Sequence, residues 1–157
     1  MLKKLALLCI LALGLSTSIT TAIAQSQSTR SLPALVQTEI KKACDELIVL
    51  KPGFVTIKDI NGDGVDDYIL DYSNFECGGN SLLYCGSAGC LTQVFASLPN
   101  GTYVKVLDEN VRNIKFAKIK GRSAMILDLH GSACGRAGAA ACVITLFWNG
   151  QTFSPAN

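Results

Sequence analysis

The sequence predicts a mainly β domain of the α+β type, in which one N-terminal helix precedes two degenerate antiparallel β-meander units stapled by disulfides. Three observations lead to this class. Apolar residues recur at helical spacing only as far as Cys44. Short β-branched and aromatic runs, separated by glycine or asparagine, fill the rest. Six of the seven cysteines lie beyond an N-terminal leader, an even set suited to bridging.

The leader comes first in the chain. Met1-Leu2-Lys3-Lys4 is followed by an apolar run from Leu5 to Leu15 and by the small-residue pattern Ala22-Ile23-Ala24. These are the charged, hydrophobic and cleavage regions of a signal peptide over residues 1–24. The run is shorter than the roughly 20 residues of a membrane span. Cys9 lies in its middle, away from any lipid-modification position. The expected product is a periplasmic or secreted domain over 25–157, with no membrane contact after cleavage.

The chain carries 14 basic and 12 acidic residues, and loss of Lys3 and Lys4 leaves 12 of each. A formally neutral domain has no basic field for nucleic acid or an anionic membrane, so both are set aside as partners.

Leu32, Val36, Ile40 and Ala43 predict a helix over 31–44, with Ser31 as its cap and Pro33 in its first turn. Lys51-Pro52-Gly53 ends the helical part. Strands are then expected at 54–58, 68–72, 91–97, 102–107, 111–119, 123–129, 142–148 and 151–153. Asn100-Gly101 and Asn149-Gly150 are expected to supply the positive φ angles of tight hairpins.

An internal repeat organises these strands. Ile69-Leu70-Asp71 and Cys77 match Ile126-Leu127-Asp128 and Cys134. Cys90, Val94-Phe95, Asn100-Gly101 and Tyr103 match Cys142, Leu146-Phe147, Asn149-Gly150 and Phe153. Two units follow, 54–107 and 111–154, each a four-stranded meander with a cysteine-bearing loop in its middle.

Cys134 and Cys142 flank a short loop whose ends lie together if the strands around it pair, which makes Cys134–Cys142 the first expected bridge. In the first unit Cys77 or Cys85 pairs with Cys90, the former by repeat position and the latter by the likeness of Cys-Gly-Ser-Ala-Gly to Cys-Gly-Arg-Ala-Gly. The cysteine left over joins Cys44 and staples the helix to the sheet. Zinc at Cys85 and Cys90 is the competing reading. It lacks close Cys-x-x-Cys pairs, and the sole histidine is His130.

One segment carries chemistry. Asp59, Asn61, Asp63 and Asp67 stand at positions 1, 3, 5 and 9 of a loop with Gly64 at position 6, the spacing that winds a chain around a calcium ion, and the Val65 carbonyl can fill position 7. Leu70 occupies position 12, where an EF-hand has its bidentate glutamate, and a strand follows instead of a helix. The competing reading is an empty polar turn.

The segment resembles the calcium loops of FG-GAP and VCBS repeats, Asp-x-Asn/Asp-x-Asp-Gly-x-x-Asp directly before a strand. The resemblance covers about a dozen residues and implies that Asp59, Asn61, Asp63, Asp67 and the Val65 carbonyl hold one structural Ca2+. A propeller needs more blades than two units supply, and the second unit has Lys118–Arg122 where its own loop would be. One ion is implied.

Catalytic candidates are few. Asp128, His130 and Ser132 alternate, but residues two apart on a strand stand about 6–7 Å apart, too far for a relay. Asp71 and Asp128 match in the repeat and could form an acid–base pair. Trp148, Phe147, Phe153, Tyr103 and Phe95 read as cross-strand packing, and Asn100-Gly101-Thr102 is a glycosylation sequon. The expected function is a noncatalytic extracytoplasmic calcium-binding module that meets an unknown protein or small ligand through disulfide-held loops. An inhibitor of an extracellular enzyme is one form of it. A small secreted hydrolase using Asp71, Asp128 or His130 is the alternative.

Overall fold

Two main sheets and one α-helix stack in three layers, beside a two-stranded ribbon, in the computed structural model, which describes residues 32–156. The expected signal peptide and the expected Ser31 cap lie outside the described residues. The helix, α1, runs Ala34–Lys42, with Pro33 at its N-cap and no side-chain cap bond. Proline ahead of the first turn has no N–H to leave unpaired, and its carbonyl accepts from Gln37 N–H at 3.0 Å.

The first sheet holds β2 (Val55–Lys58), β3 (Asp67–Asp71), β6 (Gly89–Ser97) and β7 (Tyr103–Val111), hydrogen-bonded in that order. The second holds β8 (Asn113–Ile119), β9 (Arg122–Leu129), β10 (Cys142–Trp148) and β11 (Phe153–Ser154), again in chain order. Every pairing is antiparallel. Each sheet is therefore a four-stranded meander with its cysteine-bearing loop between the second and third strands, as the repeat implies. Three short strands fall outside the sequence expectation: β1 (Ile48–Leu50), β4 (Phe75–Cys77) and β5 (Cys85–Gly86). β1 pairs with β4, and β5 extends the first sheet along β6. Two or three residues carry no readable period, so pairing partners alone define them.

Alternation along β3 and β6 builds the layers. Tyr68, Leu70 and Phe95 face α1 with Val36, Ile40, Phe54, Tyr72 and Phe75. Ile69 and Val94 face the second sheet, with Met125, Leu127 and Phe153. Both strands are covered on both faces, which is why they read as continuous apolar runs rather than polar alternation.

Two expected hairpins differ in their chemistry. Gly101 and Gly150 have positive φ, at 78° and 99°, but Asn100 and Asn149 do not, and the connections are longer than two residues. Each asparagine instead accepts backbone N–H bonds through its side chain, from Thr102 at 3.0 Å and from Gln151 and Thr152 at 3.0 Å. A side-chain bond can thus replace the strained turn backbone. The two-residue hairpin lies between Ile119 and Arg122, where Lys120 and Gly121 take φ of 49° and 79°. Val111, expected to open the second unit, is the last residue of β7, paired with Cys90. Arg112 alone then separates the sheets.

The disulfides are Cys44–Cys77, Cys85–Cys90 and Cys134–Cys142. Local likeness rather than repeat position decides the first unit, because Cys85 lies directly opposite Cys90 across β5 and β6. Cys44–Cys77 joins the end of the helical segment to β4. Three bridges belong to an oxidising compartment, and no helix among the described residues is long and apolar enough to cross a membrane.

A polar latch also holds α1. Glu39 accepts from Lys105 of β7 at 2.8 Å and from Lys42 at 3.0 Å, and Lys105 also bonds Asp108. The Lys105 bond, then that from Lys42, holds the Glu39 carboxyl below the usual glutamate range, with burial opposing. A depressed carboxylate contributes stability above its unfolded value and loses it as pH falls through the folded one. In Lys105→Met we expect an NMR titration of Glu39 to move up towards the ordinary range while Lys42 keeps part of the shift. An unmoved titration curve would remove this latch.

Candidate functional site

The aspartate-rich segment is the connection between β2 and β3, closed by the Lys58–Asp67 pair. Its winding is built from side chains bonding their own backbone. Asp59 accepts from Gly62 N–H at 2.6 Å and Gly64 N–H at 3.0 Å, Asn61 Oδ1 from Asp63 N–H at 2.9 Å, and Asp63 Oδ1 from Val65 N–H at 2.8 Å. Gly62 and Gly64 take φ of 89° and 82°, which other residues resist.

Asp67 stands apart from the other acids. Its carboxylate is fully buried and accepts from Ile60 N–H at 2.8 Å, Asn61 N–H at 3.3 Å and Ser97 N–H at 2.7 Å, and it shares the one proton of the Ser97 hydroxyl, 2.8 Å away, with Asp63. That leaves the carboxylate little free acceptor capacity. The same hydroxyl lies 2.8 Å from Asp63 Oδ2, and Asn61 Nδ2 donates to the Ser97 carbonyl at 3.0 Å and to Asp63 Oδ2 at 3.1 Å. Burial opposes the ionisation of Asp63, but Val65 N–H, the Ser97 hydroxyl and the Asn61 amide outweigh it and hold its carboxyl below the usual range.

The expected calcium ligands therefore divide. Asp59, Asn61 and Asp63 keep free acceptor capacity beside the Val65 carbonyl, whereas Asp67 is turned into the sheet as an anchor. With Asp67 so engaged, two carboxylates remain, and among the described residues no group of three or more Asp, Glu, His or Cys is gathered as a metal-holding set. The loop also meets the second unit. Ser123 donates to the Asn61 carbonyl at 2.8 Å, and its hydroxyl lies 3.1 Å from where a Cβ on Gly62 would stand.

The disulfide loops form a second locus. Ser87 lies between Cys85 and Cys90, and Gly138 between Cys134 and Cys142. Arg112 Nη2 donates to the Gly138 carbonyl at 2.6 Å and to the Ser87 carbonyl at 3.4 Å, so one guanidinium joins both loops. The Arg112 N–H bonds the Asp128 carbonyl at 2.8 Å, fixing the corner from which that side chain extends. Gly89 passes under this corner, where a Cβ would lie 2.0 Å from the Val111 carbonyl oxygen. The second loop folds back on its own start: Gly131 N–H donates to the Gly138 carbonyl at 3.1 Å and Arg136 N–H to the Gly131 carbonyl at 2.9 Å.

The hydrolytic candidates are placed separately. Among the described residues no hydrogen bond joins any two of Asp71, Asp128 and His130. Asp71 accepts from Ser73 N–H at 2.9 Å, capping the turn after β3. β9 ends at Leu129, so Asp128, His130 and Ser132 do not alternate along one strand. His130 instead caps a 3-10 turn over Gly131–Cys134, which brings its Nδ1 to 2.7 Å from Ser132 Oγ. Its Nε2 lies 2.3 Å from where a Cβ on Gly138 would stand, so the ring packs on the second loop.

Sequence reasoning passed over Ser97 and Arg112. Ser97 serves Asp67 from 30 positions away, a distance over which spacing carries no signal. Arg112 looked like one more strand residue because the corner between sheets has no glycine or proline. Neither a protein-family model, nor a curated protein, nor a solved structure matches the chain.

Proposed function

We propose that the chain acts in the periplasm or outside the cell as a noncatalytic binding module, meeting a protein or small ligand through its two disulfide-held loops. The observation that carries this reading is the Arg112 clamp, which makes one face of the Cys85–Cys90 and Cys134–Cys142 loops. Loops held in shape beforehand lose little conformational freedom on binding. An extracellular enzyme inhibited by such a face is one partner of this kind.

The test compares capture from the native extracytoplasmic fraction by the wild type, Arg112→Met and Arg136→Glu. Arg136 is an exposed residue of the second loop, so its exchange should alter stability by no more than about 0.5 kcal/mol. Loss of the same captured species in both variants is expected. Equal capture by all three would end the reading.

A second reading concerns the loop before β3. Asp59, Asn61, Asp63 and the Val65 carbonyl would hold calcium there, with water completing the six to eight oxygens the ion takes. The Ser97 hydroxyl favours this. It has one proton yet lies 2.8 Å from both Asp63 and Asp67, leaving a close oxygen–oxygen contact that positive charge relieves. Bound calcium would supply charge neutralisation and stiffen the entry to β3. Thermal unfolding in excess calcium against a chelator should then differ by about 1–3 kcal/mol by mass action. Identical midpoints remove the metal.

A further inference from the structure

Where residues of β2, β3 and β6 face those of β8, an open groove of about 680 Å³ separates the two sheets. Lys58, Arg112 and Lys115 line it against a single carboxylate, Asp71. None of these cations forms an ion pair among the described residues. Asp71, paired with Thr92 across the sheet, is held by Ser73 N–H at 2.9 Å and the Asn74 amide at 3.4 Å, and the three cations outnumber it. Ile69, Ile114 and Phe116 give the groove an apolar floor, and Lys58 Nζ stands 6.0 Å from the Phe116 ring centre.

Thr92 adds an independent sign. It is 3% exposed and lines the groove, yet its hydroxyl makes no hydrogen bond among the described residues. No fully buried side-chain polar atom is left without a partner among the described residues, so this hydroxyl keeps some open surface, and Thr92 lines the groove. Lysines on edge strands also deter unwanted strand pairing, and Lys58 and Lys115 sit on such edges. That role does not account for an unpartnered hydroxyl beside an apolar floor.

We propose that this groove binds a small organic anion, a carboxylate carried on an apolar body. Lys58 meets the carboxylate, the Thr92 hydroxyl donates a hydrogen bond to it, Ile114 and Phe116 cover the apolar part, and Lys115, which alternates with them on the edge strand, adds positive charge at the lip. Arg112 adds positive charge at one end, its N–H groups being engaged by Ser87 and Gly138. The volume lies within the roughly 300–1,000 Å³ of small-molecule sites. The groove abuts the loop face at Arg112, but its assignment does not depend on the partner proposed for that face.

Octanoate titrated into the full chain and followed by amide chemical shifts tests the assignment, with octanol and octylamine as neutral and cationic counterparts of similar size. Shifts are expected at Lys58, Thr92 and 114–116, with octanoate bound at least about tenfold more tightly than either counterpart, the size of a charge-assisted contact. Lys58→Gln and Lys115→Gln, both at exposed positions, should each weaken octanoate several-fold. Thr92→Val should do so with the charge set intact, while Arg136→Glu leaves binding unchanged. Octanol binding as well as octanoate, shifts confined elsewhere, or no binding at millimolar octanoate would each overturn the proposal.

Discussion

Asp67→Ala should lower stability by about 3–5 kcal/mol, since it strips a buried acceptor from three backbone N–H groups and one hydroxyl at once. The donors are those of Ile60, Asn61 and Ser97, which tie the loop start and the end of β6 to β3. Their loss should pull the thermal midpoint down by roughly 10 °C or more for a domain of this size. Asp67→Asn should recover little, because its amide nitrogen would face donors. Asp66→Ala at the exposed neighbouring position should stay within about 0.5 kcal/mol. Measured in chelator, a full loss identifies Asp67 as an anchor of the fold. A loss that appears only with calcium present would return it to the ligand set.

Removing the Cys44–Cys77 bridge should cost about 3–4 kcal/mol, the loop-closure value for a separation of 33 residues. The double variant Cys44→Ser/Cys77→Ser frees the helical segment from β4, leaving α1 held by its apolar face and the Glu39–Lys105 latch. Cys85 and Cys90 are only 5 residues apart, and their bridge closes a hairpin that the sheet already forms. Its removal should cost less than that of Cys44–Cys77. Denaturant unfolding of the two double variants compares them directly, and equal losses would contradict the ordering.

Much of the architecture was legible because it is repetitive and local. The helix followed from Val36 and Ile40 at a spacing of four. The two meanders followed from matched Ile-Leu-Asp and Asn-Gly segments, and their strand order reproduces the repeat. Cys134–Cys142 followed from a short loop between paired strands. The missed strands, β1, β4 and β5, are too short for any period to show. The shape of the Asn-Gly connections was misjudged because asparagine can turn a chain through its side chain as well as through its own backbone.

Bonding between residues a few positions apart is written into the order of the side chains, and it carries the helix, the meanders, the winding of 59–66 and the cysteine-bearing loops. Tertiary structure alone decided which oxygens of that winding stay free and which become an anchor, because Ser97 reaches Asp67 only after β6 pairs with β3. It likewise decided that Arg112 joins two loops and that Lys58 and Lys115 share a groove. These contacts link positions 25 or more residues apart, and over such distances only strand pairing and the packing of one sheet on the other bring side chains together.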